Sequence, residues 1–303
     1  MNQAMKEYVA SIVPVENIRF REPMRNHTSF RTGGEVDCMI MIDNAQQLGK
    51  LLNYLYVTGN DYFLLGNGTN LLVSDKGYDG VVIKFGPKMS RIHVDGERIY
   101  VQAGALLSQT AKRAMEEGLT GMEFAAGIPG SIGGGIVMNA GAFDGEMSQI
   151  VDNVTVMNES GEIMELTRDT MEFGYRTSVI KNRSFAVLEA ELRLHKGDRE
   201  EICARMEDFT ARRKAKQPLE YPSAGSVFKR PEGYYAGKLI MDSGLRGCRV
   251  GGAQVSEKHC GFIVNTGNAT SEDIAELMDE VRERVKERFR VTLEPEIVKL
   301  GDF

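Results

Sequence analysis

A chain of 303 residues, 42% apolar and 26% charged, has enough material to bury the cores of two or three domains, which excludes a disordered polymer. Its net charge of −6 and pI of about 5.5 argue against a surface for nucleic acid or anionic membrane, while leaving room for a local basic pocket around a phosphorylated small molecule. Cys38, Cys203, Cys248 and Cys260 form no CxxC pair, and no histidine stands at metal-ligand spacing, so neither a disulfide framework nor a metal site is expected.

The opening segment MNQAMKEYVA is amphipathic and lacks an apolar run of signal-peptide length. Nothing later approaches the roughly 20 apolar residues of a membrane span. The expectation is a cytoplasmic protein with reduced thiols. Residues 36–43 read as a strand, followed by a helix with Leu48, Leu51, Leu52 and Leu55 on one face and a second strand at 62–65, a β-α-β unit. That second strand runs into Gly66, Asn67, Gly68, Thr69 and Asn70, a turn of residues that tolerate positive φ, and then into Leu71, Leu72 and Val73.

Between about residues 80 and 194 short β-rich runs (81–85, 99–103, 151–157, 186–194) surround a helix at 106–117, which reads as a second α+β domain. A helix over 200–216 carries Ile202, Met206 and Phe209 at helical spacing and ends in basic residues before Pro218, placing a domain boundary near 200–220. The last third holds a glycine-rich stretch at 244–252, a strand at 261–265, and a helix with Ile274, Leu277, Met278, Val281 and Val285 on one stripe. Thr270 is its N-cap and Asp273 stands three residues on. A final strand over 291–300 contains Glu294, Pro295 and Glu296.

Two glycine-rich loops dominate: LGNGTNL at 65–71 and AGIPGSIGGG at 126–135, the second with five glycines and a proline in ten positions. Backbone amides in such loops can form a nest around a pyrophosphate; each loop alone is equally explained as a tight turn. Gly66 and Gly68 are followed by Leu71 where a dinucleotide fingerprint needs a third glycine, and no Gly-Lys-Ser/Thr occurs, so an ordinary Rossmann or P-loop site is disfavoured.

Taken with NAGA at 139–142, GYRTS at 174–178, AGSVFK at 224–229 and LEPEI at 293–297, these loops resemble, in order from about Asn26 to the C-terminus, the UDP-N-acetylenolpyruvoylglucosamine reductase family. The resemblance implies an α+β flavoprotein: two FAD-binding parts of the vanillyl-alcohol oxidase type (1–85 and 86–205) plus a C-terminal α/β substrate-binding domain (206–303). It also implies noncovalent FAD, NADPH as hydride donor, and reduction of UDP-N-acetylglucosamine enolpyruvate to UDP-N-acetylmuramate for peptidoglycan. A monomer is the expectation, although no residue pattern in the sequence sets the oligomeric state. Carried over by motif, Gly66, Asn67, Gly68, Thr69, Asn70, Leu71, Gly127, Ile128, Pro129, Gly130, Ser131, Gly133 and Gly134 would bind FAD. No histidine lies within either loop to attach a flavin.

Reducing an enolpyruvyl ether by hydride leaves carbanion character beside a carboxylate, and that chemistry asks for a cation on the carboxylate, an acid for the carbanionic carbon, and exclusion of water. Arg176 fits the first need, since a guanidinium forks across a carboxylate and keeps its proton, although most arginines are merely solvated. Ser226 is the expected proton donor; a serine after glycine is otherwise a turn residue. Chemistry alone does not choose between Glu294 and Glu296, and the family motif selects Glu296. Tyr175, Lys216, Gly225, Lys229, Arg230 and His259 are the expected substrate-binding residues, with Lys216 and Arg230 on the diphosphate.

Longer members of the family carry an inserted segment whose tyrosine closes over the nucleotide. This compact chain shows no such insertion and resembles the shorter subgroup. Two rival readings are a flavin oxidase of the same superfamily, which gives no reason for Arg176, Ser226 and Glu296 in these contexts, and a nonenzymatic nucleotide-binding regulator.

Overall fold

The computed structural model describes residues 2–303. They form two compact units. The first comprises residues 2–20, Cys38–Asn67 and Gly80–Arg212; the second comprises Arg21–Asp37, Gly68–Asp79 and Arg213–Phe303.

In the first unit, the helix Ala45–Thr58 starts at Asn44, whose side chain accepts from the amide of Gln47 at 2.9 Å. It buries Leu48, Leu51, Leu52 and Leu55, the i, i+3, i+4, i+7 stripe of an amphipathic helix. That stripe packs with Met5 and Val9 of the helix Gln3–Ile12 and with Cys38, Ile40, Ile42, Val81 and Ile83 of neighbouring strands. Strand Tyr62–Leu65 pairs in parallel with Tyr78–Phe85, Tyr62 opposite Val81, within a four-stranded sheet ordered Ile18–Pro23, Glu35–Ile42, Tyr78–Phe85, Tyr62–Leu65.

The same unit holds a five-stranded antiparallel sheet in the order Ile163–Thr167, Val151–Met157, Ala186–Arg193, Arg98–Gln102, Ile92–Asp95. Its residues alternate as a half-buried sheet requires: Ile99, Val101, Val154, Ala190 and Leu192 enter the core, while Tyr100, Asn153, Glu189 and Glu191 do not. Against the apolar face lie Leu107 and Ala111 of the helix Leu107–Glu116, and Ile132 and Ile136 of the short helix Ile132–Val137.

The helix Arg199–Lys216 buries little beyond Ile202. What fastens it within the first unit is Arg205, whose Nε and Nη2 donate to the Glu123 carboxylate at 3.1 and 2.9 Å, and Phe209, stacked on Phe143 at 4.4 Å between centroids. Burial pushes the Glu123 pKa up, but hydrogen bonds from the Thr120 hydroxyl, the amides of Glu123 and Gly121, and Arg205 outweigh it and hold the carboxyl below its usual range.

The second unit packs Phe30, Leu72, Val227, Phe228, Leu239, Val255 and Ile263 against Ile274, Leu277, Met278 and Val281 of the helix Ser271–Phe289. The expected cap is a full capping box: Asp273 N donates to Thr270 Oγ1, and Thr270 N to Asp273 Oδ2, both at 3.0 Å. The strand expected over 291–300 is shorter. Only Val298–Leu300 is a strand, paired in parallel with Leu71–Val73, because Pro295 has no amide to extend a ladder. Residues around Pro295 instead form an isolated bridge with Phe228.

Among the described residues no helix is long and apolar enough to cross a membrane, all four cysteines are free, and no three His, Cys, Asp or Glu side chains gather as metal ligands.

Candidate active site

In the first unit the two glycine loops meet. The Asn67 side-chain amide donates to the Pro129 carbonyl at 2.5 Å, and a Cβ at Gly66 would stand 2.8 Å from Ser131 Oγ, so only glycine allows this approach without a shift. The second loop is stitched to residues 103–107: Leu107 N donates to Gly130 O at 3.0 Å, Ile132 N to Ala105 O at 2.8 Å, and Gly133 N to Ala103 O at 2.9 Å. Ile128 N donates to Ala125 O at 3.0 Å, with the Ile128 side chain packed on the core. Ser131 then caps the helix Ile132–Val137, accepting from Gly134 N at 3.3 Å. Gly127 begins this loop without a side chain of its own, so main chain is what the loop presents.

The remainder of the first loop belongs to the second unit. Gly68 has φ +66°, and a Cβ there would lie 1.9 Å from the His27 carbonyl oxygen. Ser29 N donates to Gly68 O at 3.0 Å. Beyond Thr69, Asn70 Nδ2 donates to Glu296 O at 3.0 Å and Asn70 O accepts from Val298 N at 3.1 Å, after which Leu71 opens the parallel pair. Ser29 Oγ is buried with no hydrogen-bond partner among the described residues. A polar atom buried beside a glycine loop suits a ligand that completes its hydrogen bonds, which is how these residues fit a flavin dinucleotide. The sequence marks Ser29 only by a short polar run ahead of Gly33 and Gly34.

Arg176 sits in a two-residue turn of the first unit. Gly174 N donates to Thr177 O at 3.1 Å and Thr177 N to Gly174 O at 3.3 Å, with Arg176 itself at φ +56°. Its Nη2 donates to Gly141 O at 3.3 Å, and its guanidinium carbon lies 5.3 Å from the ring centroid of Tyr175, which is 53% exposed. The turn is held from both sides: Asn139 Nδ2 donates to Gly174 O at 3.1 Å and Ser178 Oγ to Val137 O at 2.9 Å.

In the second unit Ser226 and Glu296 lie on paired segments. Glu296 N donates to Val227 O at 2.8 Å and Lys229 N to Glu294 O at 2.9 Å, while on the other side Val227 N donates to Gly261 O at 2.9 Å and Ser226 bridges Phe262. Gly225, at φ +79°, turns the chain into this segment, and Ser226 is exposed. Glu294 is 72% exposed and engages Lys229 Nζ at 3.1 Å, whereas Glu296 is half-buried. Arg230 Nε donates to Tyr234 O at 3.3 Å, its guanidinium 4.0 Å from the Tyr235 ring centroid. His259 Nδ1 accepts from Gly261 N at 3.1 Å and the ring meets Phe262 edge-on at 5.0 Å. Burial, and further the positive charge of Lys216, push its pKa below the ordinary value.

Residues 36–167 match the family model described as FAD binding domain, and residues 217–300 match the C-terminal domain of UDP-N-acetylenolpyruvoylglucosamine reductase. The UDP-N-acetylenolpyruvoylglucosamine reductase of Alkaliphilus oremlandii is 48% identical over 98% of this chain and 99% of its own length. The chain belongs to the UDP-N-acetylenolpyruvoylglucosamine reductase family. Like other reductases of this family it is an FAD-dependent oxidoreductase. The reductase of the same name from Caldanaerobacter subterraneus is 47% identical over 100% of both chains. The crystal structure of the Thermus caldophilus reductase superposes with TM-score 0.82 at 34% identity, covering 94% of this chain and 100% of that one. A grass pollen allergen with glucose dehydrogenase activity shares part of the fold, at TM-score 0.51 and 13% identity over 64% of this chain and 44% of that one.

Proposed function

We propose that this reductase uses NADPH to convert UDP-N-acetylglucosamine enolpyruvate to UDP-N-acetylmuramate, in the cytoplasm, for peptidoglycan precursor synthesis. The observation that carries this reading to named atoms is the pairing of residues 226–229 with 294–296, which sets a serine hydroxyl and a half-buried carboxylate on adjacent segments.

FAD, when bound, accepts a hydride from NADPH and supplies it to the terminal carbon of the enolpyruvyl ether. Gly66 to Leu71 and Gly127 to Gly134 hold the dinucleotide, chiefly through main chain. Arg176 forks across the substrate carboxylate and stabilises the negative charge that develops there as the double bond is reduced. The Ser226 hydroxyl gives its proton to the carbon bearing the ether oxygen; a carbanion beside a carboxylate is basic enough to take a proton from a hydroxyl held in line, and the serine regains one from solvent. Glu296 polarises the carboxyl end of the enolate. Lys216 and Arg230 neutralise the diphosphate, with Tyr175, Gly225, Lys229 and His259 lining the path of the UDP-sugar. Glu294 has a surface ion pair to occupy it, which supports Glu296 as the acid of this pair that acts.

Incubation of the FAD-loaded protein with NADPH and UDP-N-acetylglucosamine enolpyruvate, followed by mass analysis, tests the assignment. The reading requires UDP-N-acetylmuramate, two mass units heavier than substrate, one molecule for each NADPH consumed. NADPH consumption that yields only hydrogen peroxide would replace it with a flavin oxidase.

A further inference from the structure

The short helix Ile132–Val137 carries different machinery at its two ends. At its start, Ser131 and Gly130 belong to the glycine loop; at its end, Asn139 and the carbonyl of Val137 reach the turn that bears Arg176. Asn139 is 1% exposed and held at φ +42°, a left-handed conformation that asparagine tolerates better than most residues. Both ends of its side-chain amide are used: Oδ1 accepts from Ser148 N at 2.9 Å and Nδ2 donates to Gly174 O at 3.1 Å. Gly174 is the residue whose reciprocal hydrogen bonds with Thr177 close the turn around Tyr175 and Arg176. On the far side of that turn Ser178, equally buried, donates to Val137 O.

We propose that Asn139 is a positioning residue for Arg176: its amide fixes the Gly174–Thr177 turn to the end of the flavin-loop helix and so sets the guanidinium against the substrate carboxylate. The inference rests on the role given to Arg176 above. A buried amide that bonds one carbonyl and one N–H has a defined orientation, since turning it over would set oxygen against oxygen and N–H against N–H. Ser148 therefore orients the amide, and the amide orients the turn. Arg176 completes the arrangement by donating to Gly141 O, two residues beyond Asn139.

Asn139→Asp separates this role from a merely structural one. It keeps the acceptor for Ser148 N but sets a carboxylate oxygen against the Gly174 carbonyl, releasing the turn. In FAD-loaded protein, flavin reduction by NADPH and FAD affinity should stay within about threefold of the parent, whereas reoxidation of the reduced flavin by UDP-N-acetylglucosamine enolpyruvate should fall by roughly 100-fold, the scale expected for a catalytic group displaced by about 1 Å. Because Asn139 acts through Arg176, the double variant with Arg176→Ala should be no slower than Arg176→Ala alone. If Asn139→Asp gives no flavin-loaded protein, Ser178→Ala, which removes the other tether, carries the same expectations.

Additive losses in the double variant, or equal losses in both half-reactions, would overturn the positioning role and leave Arg176 untouched. Normal reoxidation in Arg176→Ala would overturn the reading beneath it as well.

Discussion

The side-chain amide of Asn67 donates to the carbonyl of Pro129 across a separation of 62 residues, tying one glycine loop of the first unit to the other at 2.5 Å. Neither loop alone points to a dinucleotide site; their joining supports the proposal that together they hold FAD. Asn67→Ala removes about 1 kcal/mol of net hydrogen bonding, and more if the Pro129 carbonyl is left dry. The expected result is a five- to tenfold weaker FAD dissociation constant by flavin fluorescence titration, with unchanged far-ultraviolet circular dichroism. Unaltered affinity would mean that the loops keep their relation without this bond.

Gly68 presents a sharper case. At φ +66° a left-handed alanine costs about 1–2 kcal/mol, and its Cβ would also strike the His27 carbonyl oxygen from 1.9 Å. Gly68→Ala should lower the urea midpoint of unfolding and release FAD more readily. A parental midpoint together with parental FAD retention would contradict the close approach.

Ser226 and Glu296 are expected to separate the two half-reactions. Ser226→Ala should leave flavin reduction by NADPH intact and cut reoxidation by substrate by about 10³-fold or more, since a positioned proton donor is worth roughly 10²–10⁴ in rate. Glu296→Gln, which keeps shape and removes charge, should also slow only reoxidation. Rapid-mixing absorbance measurements of each step distinguish these outcomes. A Ser226→Ala enzyme that reoxidises at the parental rate would require another acid.

His259 should titrate below the ordinary histidine value of about 6.5, because burial and Lys216 disfavour its charged form. The sign of the linkage follows. The unfolded chain takes up the proton first as pH falls through 6.5, so the stability contributed by a neutral His259 is present above that pH and lost as pH falls toward the folded value. His259→Gln should flatten the decline in stability between pH 7 and 5. Lys216→Met should raise the titration midpoint, read from the imidazole proton resonances, without bringing it fully to 6.5, since burial remains.

The parts of the fold that the sequence announces are those whose signal is local. Leu48, Leu51, Leu52 and Leu55 define one helix, Thr270 with Asp273 starts another, and the continuous apolar run at 62–65 and the β-branched run at 151–157 coincide with strands. Edge strands Ile92–Asp95 and Ile163–Thr167 alternate, with Ile92, Val94, Met164 and Leu166 on the core and the residues between them exposed, but four or five residues of alternation are too few to stand out from the turns around them. The apolar pattern over 291–300 suggests one strand, but the strand is confined to Val298–Leu300 because Pro295 lacks the amide to continue a ladder. At the candidate site, the glycine loops and the segments holding Arg176, Ser226 and Glu296 stand out as motifs. Asn139 does not, although it lies in one, because its partner Gly174 is 35 residues away and the bond exists only after folding. Ser29 was invisible for the same reason: its position under Gly68 is a tertiary fact.

The most direct test of the reductase reading is anaerobic. Purified FAD-loaded protein is reduced with one equivalent of NADPH, UDP-N-acetylglucosamine enolpyruvate is added, and the flavin absorbance is followed. Prompt return of the oxidised spectrum with formation of UDP-N-acetylmuramate is the predicted result. A flavin that stays reduced until oxygen is admitted would contradict it.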